Sequence, residues 1–325
     1  MANINDVAKK AGVSKSTVSI VINNTGYVSE KTRLKVENAM KELNYIPSQI
    51  ARNFSTDKSN VVGIVMPDIM HPFFSTFIKY AEQKLFEKGY MTMVCSTDDK
   101  PEVEEKYLDM LKRKVMDGII MGSHTLKTEQ YINIKRPIVT LDRFISNNIP
   151  TVCSNHARAA EIVSDMIIKK GCKDVVFITG RGIANIASSD FYKVSKSVLE
   201  LKGVKVNNIK MEGKGFSVES YKNISEKAIN TFPDTDCIIG VDIAIMACCR
   251  IAREKGINIP EDLKLISYDG TYITRIGDEL ITSVVQPIED LATKSVEIIT
   301  NLIEGNKPEK AHNIFDVSIQ NGHTF

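Results

Sequence analysis

From Val61 onward, short runs rich in β-branched residues alternate with helical or loop segments, and this alternation leaves few folds open. Residues 61–66, 92–95, 118–121 and 138–141 form one series of such runs, and residues 175–179, 206–211, 237–240 and 263–267 form a second. Strands that are apolar throughout belong to parallel sheets covered by helices on both faces. Two series, with residues 151–156 between them, predict two doubly wound parallel-sheet subdomains. The strand at 281–285 and the helix after Pro287 are expected to return the chain to the first. A chain of 325 residues with 43% hydrophobic and 25% charged side chains can bury cores of that size, and it is not a disordered or collagenous polymer.

The first sixty residues follow a different pattern. Ile4, Val7, Ala8 and Ala11 make one apolar helical stripe, and Gly12 stops it by supplying the left-handed conformation of a tight turn. Ser14 is placed to cap a second helix running to about Asn23, with Val18, Val21 and Ile22 inward and Lys15, Ser16 and Ser19 outward. Ser29 is placed to cap a third helix whose Val36, Ala39, Met40 and Leu43 complete a small core. This is an all-α helix-turn-helix head on an α/β body. Net charge is +2 overall, but residues 1–60 hold nine Lys/Arg against five Asp/Glu, so the head is +4 and the remainder −2. A basic head whose outer helix face carries short hydrogen-bonding side chains fits phosphates and base edges. A protein-binding mini-domain is the other use of three such helices, and the charge distribution speaks against it.

Six cysteines (Cys95, Cys153, Cys172, Cys237, Cys248 and Cys249) contain no CxxC pair and read as buried thiols of a reducing compartment. The start, Met1-Ala2-Asn3-Ile4-Asn5-Asp6, has no export-signal pattern, and the most apolar stretch, 237–249, is too short to span a bilayer and contains Asp242. A cytoplasmic protein is expected.

The head resembles the lac repressor family of bacterial transcription regulators. Asp6-Val7-Ala8-Lys9-Lys10-Ala11-Gly12-Val13-Ser14, Ser16-Thr17-Val18-Ser19, Asn44-Tyr45-Ile46-Pro47 and Ala51-Arg52 carry the likeness. It implies a second helix in the major groove, base readers at Lys15, Ser16 and Ile20, and phosphate contacts that include Ser14, Thr17, Ser19, Asn23 and Tyr45. Residues 1–46 form the DNA-binding domain, 47–59 a hinge helix and linker, and 60–325 a two-lobed effector-binding and dimerisation domain. In the hinge, Ile50, Ala51 and Phe54 share one helical face behind Ser48. A helix that short is unstable alone and is expected to fold only against DNA and a second copy. Phe54 stands where the family inserts a Leu into the minor groove; its alternative is to pack on the body as a linker anchor.

The body resembles the same family's effector domain, itself similar to the periplasmic sugar-binding proteins. Pro67-Asp68-Ile69-Met70-His71-Pro72-Phe73-Phe74, Leu141-Asp142-Arg143, Ser267-Tyr268-Asp269-Gly270 and Gln286-Pro287 carry this part. Independently, ligands of open parallel sheets sit beyond the carboxyl ends of the strands, where Asp68, Ser96-Thr97, Ser123-His124, Asp142-Arg143, Asp242, Asp269 and Gln286 collect. The resemblance places effector contacts at Phe73, Phe74, Asp142, Arg143, Asp242, Asp269 and Gln286. Phe191 stands where the family clamps its effector with an Arg, with Val194-Ser195 in place of Gly-Phe. Val241 replaces an Asn, His71 replaces another, and the ending Ile319-Gln320-Asn321-Gly322-His323-Thr324-Phe325 lacks the usual terminal signature. Plainer roles stay open for Asp242 as a helix cap, for Asp269-Gly270 as a turn and for His71 as a loop residue. The effector is expected to be a sugar or related metabolite; a less polar or differently charged metabolite, or a cleft that has lost its ligand, is the alternative.

The chain as a whole reads as a sequence-specific DNA-binding repressor: a homodimer on a near-palindromic operator, switched when effector binding changes lobe closure and so folds or melts the hinge. No leucine-heptad tail follows Ile303, which favours a dimer over a tetramer. An enzyme, or a simple sugar-binding module, would use the same cleft. There is no P-loop, GxSxG elbow or HExxH helix, and the five histidines (71, 124, 156, 312 and 323) lack metal-ligand spacing, so no metal or cofactor is expected. Ile20 generates a prediction. The family usually has Arg there, which grips guanine with two hydrogen bonds, whereas Ile offers only apolar contact, as to a thymine methyl. Selection from random duplexes is expected to return an operator that differs from the common family sequence at that base pair; recovery of the unchanged sequence would refute it.

Overall fold

Three short helices build the N-terminal unit, each started by a side-chain cap. Asn3 opens α1 (Ile4–Ala11) in a capping box with Asp6, and Gly12, at φ +65°, closes it. Ser14 accepts from the Thr17 amide to start α2 (Lys15–Asn23), and Ser29 accepts from the Thr32 amide to start α3 (Glu30–Glu42). Val7, Val18 and Val36 are wholly buried at the centre, beside Ala8, Val21 and Ala39. Each buried valine contributes about 1.5–3 kcal/mol, so this core is just large enough for a mini-domain. Ile22, Met40, Leu43 and Tyr45 pack around it half-buried, which agrees with the apolar stripes read from the sequence.

The structure is a computed structural model that describes residues 2–46, 58–180, 186–211 and 217–325. Its two compact units are residues 1–60 and 61–325. The expected hinge positions Ser48, Ile50, Ala51 and Phe54 lie outside the described residues.

Two six-stranded sheets form the larger unit. The first contains β1 (Val61–Met66), β2 (Met91–Ser96), β3 (Gly118–Met121), β4 (Ile138–Leu141), β5 (Thr151–Ser154) and β11 (His312–Phe315), in the order β11-β5-β4-β3-β1-β2. The second contains β6 (Asp174–Thr179), β7 (Lys205–Lys210), β8 (Cys237–Val241), β9 (Lys264–Asp269), β10 (Ser283–Val285) and β12 (Ser318–Gln320), in the order β12-β10-β9-β8-β6-β7. All neighbours are parallel except β10 and β12. Helices cover both faces. Helix α4 (Pro72–Glu87) and the later α11 (Ile288–Ile303) pack one face of the first sheet, and α5 (Pro101–Lys112) with α6 (Thr128–Ile132) covers the other. In the second sheet, α7 (His156–Lys170) and α8 (Ser189–Leu201) lie opposite α9 (Val218–Thr231) and α10 (Asp242–Glu254).

The chain crosses between the lobes three times: from β5 to α7, from β10 to α11, and from β11 to β12. This corrects the sequence reading in two places. Residues 151–154 are not a spacer between subdomains but a strand of the first sheet, and 283–285 stay in the second sheet, so that only the helix after Pro287 returns. Strands β11 and β12 gave no signal because they are three- and four-residue edge pieces with half-exposed side chains. Of the six cysteines, all free, five are buried and Cys249 is half-buried, as their apolar neighbourhoods required.

Gly270 is required both by its conformation and by its neighbours. Gly270 follows β9 with φ +61°, and a Cβ there would lie 2.7 Å from Val285 Cα in β10. Backbone cannot yield as a flexible side chain does. Gly270→Ala is therefore expected to lower the midpoint of thermal unfolding by several degrees, read by calorimetry; an unchanged midpoint would show that the β9–β10 contact is softer than this geometry.

Candidate nucleic-acid interface and ligand cleft

Ser14, Lys15 and Ser16 are exposed at the N-terminal end of α2, where free amides and the helix dipole favour an anion. The Ser14 hydroxyl lies 2.7 Å from Ser16 Oγ and 2.8 Å from Thr17 Oγ1, so three short side chains form one hydrogen-bonding edge. Thr17, Ser19, Ile20, Asn23 and Tyr45 are half-buried. Asn23 donates to Ser19 Oγ at 3.2 Å, one helical turn back. Ile20 leans toward the turn after α2, since a Cβ on Gly26 would meet its Cγ2 at 3.3 Å. Part of its apolar surface is thereby already engaged within the head. Tyr45 packs on the head's core with one face.

The cleft is assembled from strand ends. After β1, Asp68 accepts from the Met70 amide at 2.6 Å and turns the loop into α4, where Pro72 takes the first helical position and delivers Phe73 and Phe74 in the first turn. His71 is buried; its ring centroid lies 5.2 Å from Phe74 and 6.1 Å from Tyr221, which sits on α9 of the other lobe. Burial lowers the His71 pKa to about 4, so the ring is neutral near neutral pH. Beyond β2 and β3, Thr97 Oγ1 and Ser123 Oγ are 2.7 Å apart. Fully buried Glu104 accepts from the Ser123 hydroxyl, from both the amide and the hydroxyl of Thr125, and from Tyr131. His124 binds Leu141 O through Nε2 at 2.6 Å, and burial lowers its pKa, also to about 4.

Asp142, at φ +65° after β4, joins the lobes. Its Oδ1 takes His156 Nε2 at 2.6 Å, its Oδ2 takes the Ser188 amide at 3.1 Å, and its carbonyl takes the Ala187 amide at 2.8 Å. His156 and Ser188 belong to the second lobe. Because a carboxylate only accepts, Nε2 carries the proton, and in the neutral ring Nδ1 accepts from the Tyr268 hydroxyl. Burial by itself would raise the Asp142 pKa, but His156 and Ser188 outweigh it and hold the carboxyl below its usual range.

The second lobe contributes Asp242, Asp269 and Gln286. Asp242 is the first residue of α10, yet its carboxylate caps nothing there; it accepts from the Ser267 and Thr271 hydroxyls and from the Gly270 and Thr271 amides. It thus shapes the β9 turn that carries Asp269. Asp269, at φ +116°, accepts from Gln286 Nε2 at 2.7 Å, and Gln286 Oε1 in turn accepts from Ser154 of the first lobe at 2.7 Å. Burial, then the nearby charge of Asp242, pushes the Asp269 pKa well up.

Three of the expected positions are engaged elsewhere: Asp242 in the β9 turn, as above, and Arg143 and Phe191. The Arg143 guanidinium donates to the carbonyls of His124 and Leu126 and lies over the Tyr131 ring, so it braces the loop after β3. Phe191 packs in the second-lobe core, 4.3 Å from Tyr268 and 6.0 Å from Phe177 between ring centroids. Asp142 and Gln286 make hydrogen bonds between the lobes and Asp269 holds Gln286, whereas Phe73 packs in the first-lobe core and half-buried Phe74 lies beside His71. Residue types had singled out neither His156, Tyr268 nor Tyr221 as site residues. Tyr268 lay inside a quoted motif and His156 beside the β5 end; Tyr221 had no signal beyond its helical stripe. Among the described residues there is no group of side chains fit to hold a metal ion.

Comparisons with known proteins agree with this layout. A family model described as "Bacterial regulatory proteins, lacI family" matches residues 3–48, and one described as "Periplasmic binding proteins and sugar binding domain of LacI family" matches residues 59–321. The sucrose operon repressor of Streptococcus mutans is 33% identical over 324 residues, which cover 100% of this chain and 99% of that protein. The ribose operon repressor of Halalkalibacterium halodurans is 34% identical over 306 residues, 94% of this chain and 91% of that one. Among solved structures, the lac repressor dimer bound to operator and the anti-inducer ONPF superposes with a TM-score of 0.84 at 21% identity, covering 99% and 98% of the two chains, and shares the fold. A regulator from Alkaliphilus metalliredigens complexed with D-xylulofuranose gives a TM-score of 0.72 at 26% identity over 82% of this chain and 98% of that one.

The two neutral histidines set an acid limit. Each takes up a proton near pH 6.5 when unfolded but only near pH 4 when folded, so the unfolded chain binds more protons between those values. Stability is then full above pH 6.5 and falls as pH drops, by up to about 1.4 kcal/mol per pH unit for each histidine. The unfolding midpoint of the full chain is expected to fall between pH 6.5 and pH 4.5, and to fall less steeply in His71→Gln. A flat midpoint across that window would contradict both assignments.

Proposed function

Because the chain belongs to the LacI family of bacterial regulatory proteins, we propose that it is the repressor of a carbohydrate operon, released from its operator by a free sugar bound between the two lobes. The family is one of transcriptional regulators rather than enzymes, and the relatives named for sucrose and ribose operons place the effector in the sugar class. The observation that carries the reading is Asp142. One carboxylate of the first lobe ties two points of the second, so a ligand that offers hydroxyls to it acts directly on lobe closure.

The remaining parts follow. Phe73 and Phe74 supply apolar surface for a ring face, while Asp269 and Gln286 supply hydrogen-bonding groups opposite Asp142. Lys15, Ser16 and Ile20 read bases, and Ser14, Thr17, Ser19, Asn23 and Tyr45 hold phosphates. Two copies bind a near-palindrome, each with its hinge at 47–59, where Ala51 and Phe54 meet the minor groove. The hinge runs directly into β1, so a movement of the first lobe pulls on the segment that must fold against DNA. The ligand shifts this equilibrium only by its differential affinity for the two closures. A protein that works on bacterial operators acts in the cytoplasm, and no described helix is long and apolar enough to cross a membrane.

The test is fluorescence anisotropy of the full chain on an inverted-repeat duplex obtained by selection. Affinity is expected to fall steeply with salt, and ribose or sucrose is expected to weaken it at least tenfold, equivalent to about 1.4 kcal/mol of coupling. Asp142→Asn is expected to bind DNA and to lose most of the sugar response. Absence of any inverted-repeat preference, or of any response to either sugar, would overturn the reading.

A further inference from the structure

We propose that His124 is a ligand-contacting residue of the interlobe cleft, whose bare Nδ1 accepts a hydrogen bond from a sugar hydroxyl; the proposal rests on the sugar-effector reading above. Three facts lead to it. The residue lies just past the carboxyl end of β3, on the edge where Asp142 follows β4. Its Nε2 is 2.6 Å from Leu141 O, and a carbonyl oxygen can only accept, so the ring proton sits on Nε2. His124 is 7% exposed as a residue, and its Nδ1 is buried with no hydrogen-bond partner among the described residues.

The ring therefore presents a buried lone pair and no second proton. Its lowered pKa, from burial, keeps it in that form at neutral pH. A buried acceptor left unfilled is costly, so a retained one points to a donor that arrives from outside the chain. The ring cannot swing aside to find one. Arg143 grips the His124 carbonyl at 3.1 Å and the Leu126 carbonyl beyond it, while Glu104 holds Ser123 and Thr125 on either side. Fixed backbone, fixed tautomer and an open acceptor make a preorganised contact. Asp142 is also an acceptor on this edge, so the edge asks for hydroxyl or amine hydrogens and not for oxyanions.

Two substitutions separate a ligand contact from a structural role. In His124→Gln, the amide nitrogen reaches the position of Nε2 and keeps the donation to Leu141 O, with no acceptor where Nδ1 stood. In His124→Asn, the amide oxygen takes the place of Nδ1, and the bond to Leu141 is given up. The full chain and both variants are titrated calorimetrically with ribose and with sucrose, and their unfolding midpoints are measured. His124→Gln is expected to bind the sugar about tenfold more weakly or worse at a nearly unchanged midpoint. His124→Asn is expected to lose midpoint while keeping affinity within a few-fold, and the His124 Nδ1 resonance of the unaltered protein is expected to move on sugar addition. Unaltered affinity in His124→Gln, or affinity and midpoint falling together in both variants, overturns the assignment and leaves the sugar-effector reading standing. Binding of neither sugar by the unaltered protein overturns that reading and this proposal with it.

Discussion

Asp142 ties the two lobes of the body together at three points. Its oxygens reach His156 and the Ser188 amide, and its own carbonyl reaches the Ala187 amide. All three partners lie across the cleft. The left-handed backbone at Asp142 is what aims these groups, a conformation that an ordinary residue tolerates only when its surroundings over-determine it. Behind His156 stands Tyr268, and beside Tyr268 stands Phe191, so the bridge runs from solvent into the second-lobe core. The place of Phe191 in this arrangement is support: it fixes the tyrosine that orients the histidine that holds the aspartate.

The cleft carries several carboxylates, and the fold gives them different electrical characters. Burial works against the ionised form of Asp142, but the charge of His156, with the hydrogen bonds of His156 and Ser188, outweighs it. Asp242 has more donors but deeper burial, which wins and raises its pKa. Asp269 is raised further by burial and by the charge of Asp242. A bound molecule thus meets one firm anion and one carboxyl disposed to hold its proton. Together these can accept and donate to the same polyhydroxyl ligand.

Much of the fold was legible because periodicity reports burial. The caps at Ser14 and Ser29 and the turn at Gly12 followed from residue type alone, and eight strands of the body announced themselves as short runs rich in β-branched and apolar residues, although 206–211 is broken by Asn207, Asn208 and Lys210. Short edge strands such as β11 and β12 did not, because half-exposed strands of three or four residues carry no period long enough to read. In the site, strand-end logic found Asp142, Asp269 and Gln286. It could not tell that Arg143 turns back to brace the loop of His124, or that Asp242 is consumed by the β9 turn. Whether a polar side chain is offered to a ligand or spent on its own backbone depends on distances of a few ångströms set by tertiary packing. No linear pattern encodes that choice.

The three crossings between the lobes lie side by side, since β5 neighbours β11 in one sheet and β10 neighbours β12 in the other. Three parallel tethers at one edge resist shearing and twisting far more than they resist bending. Like a book with a wide spine, such a body has one easy motion, opening and shutting along a single arc.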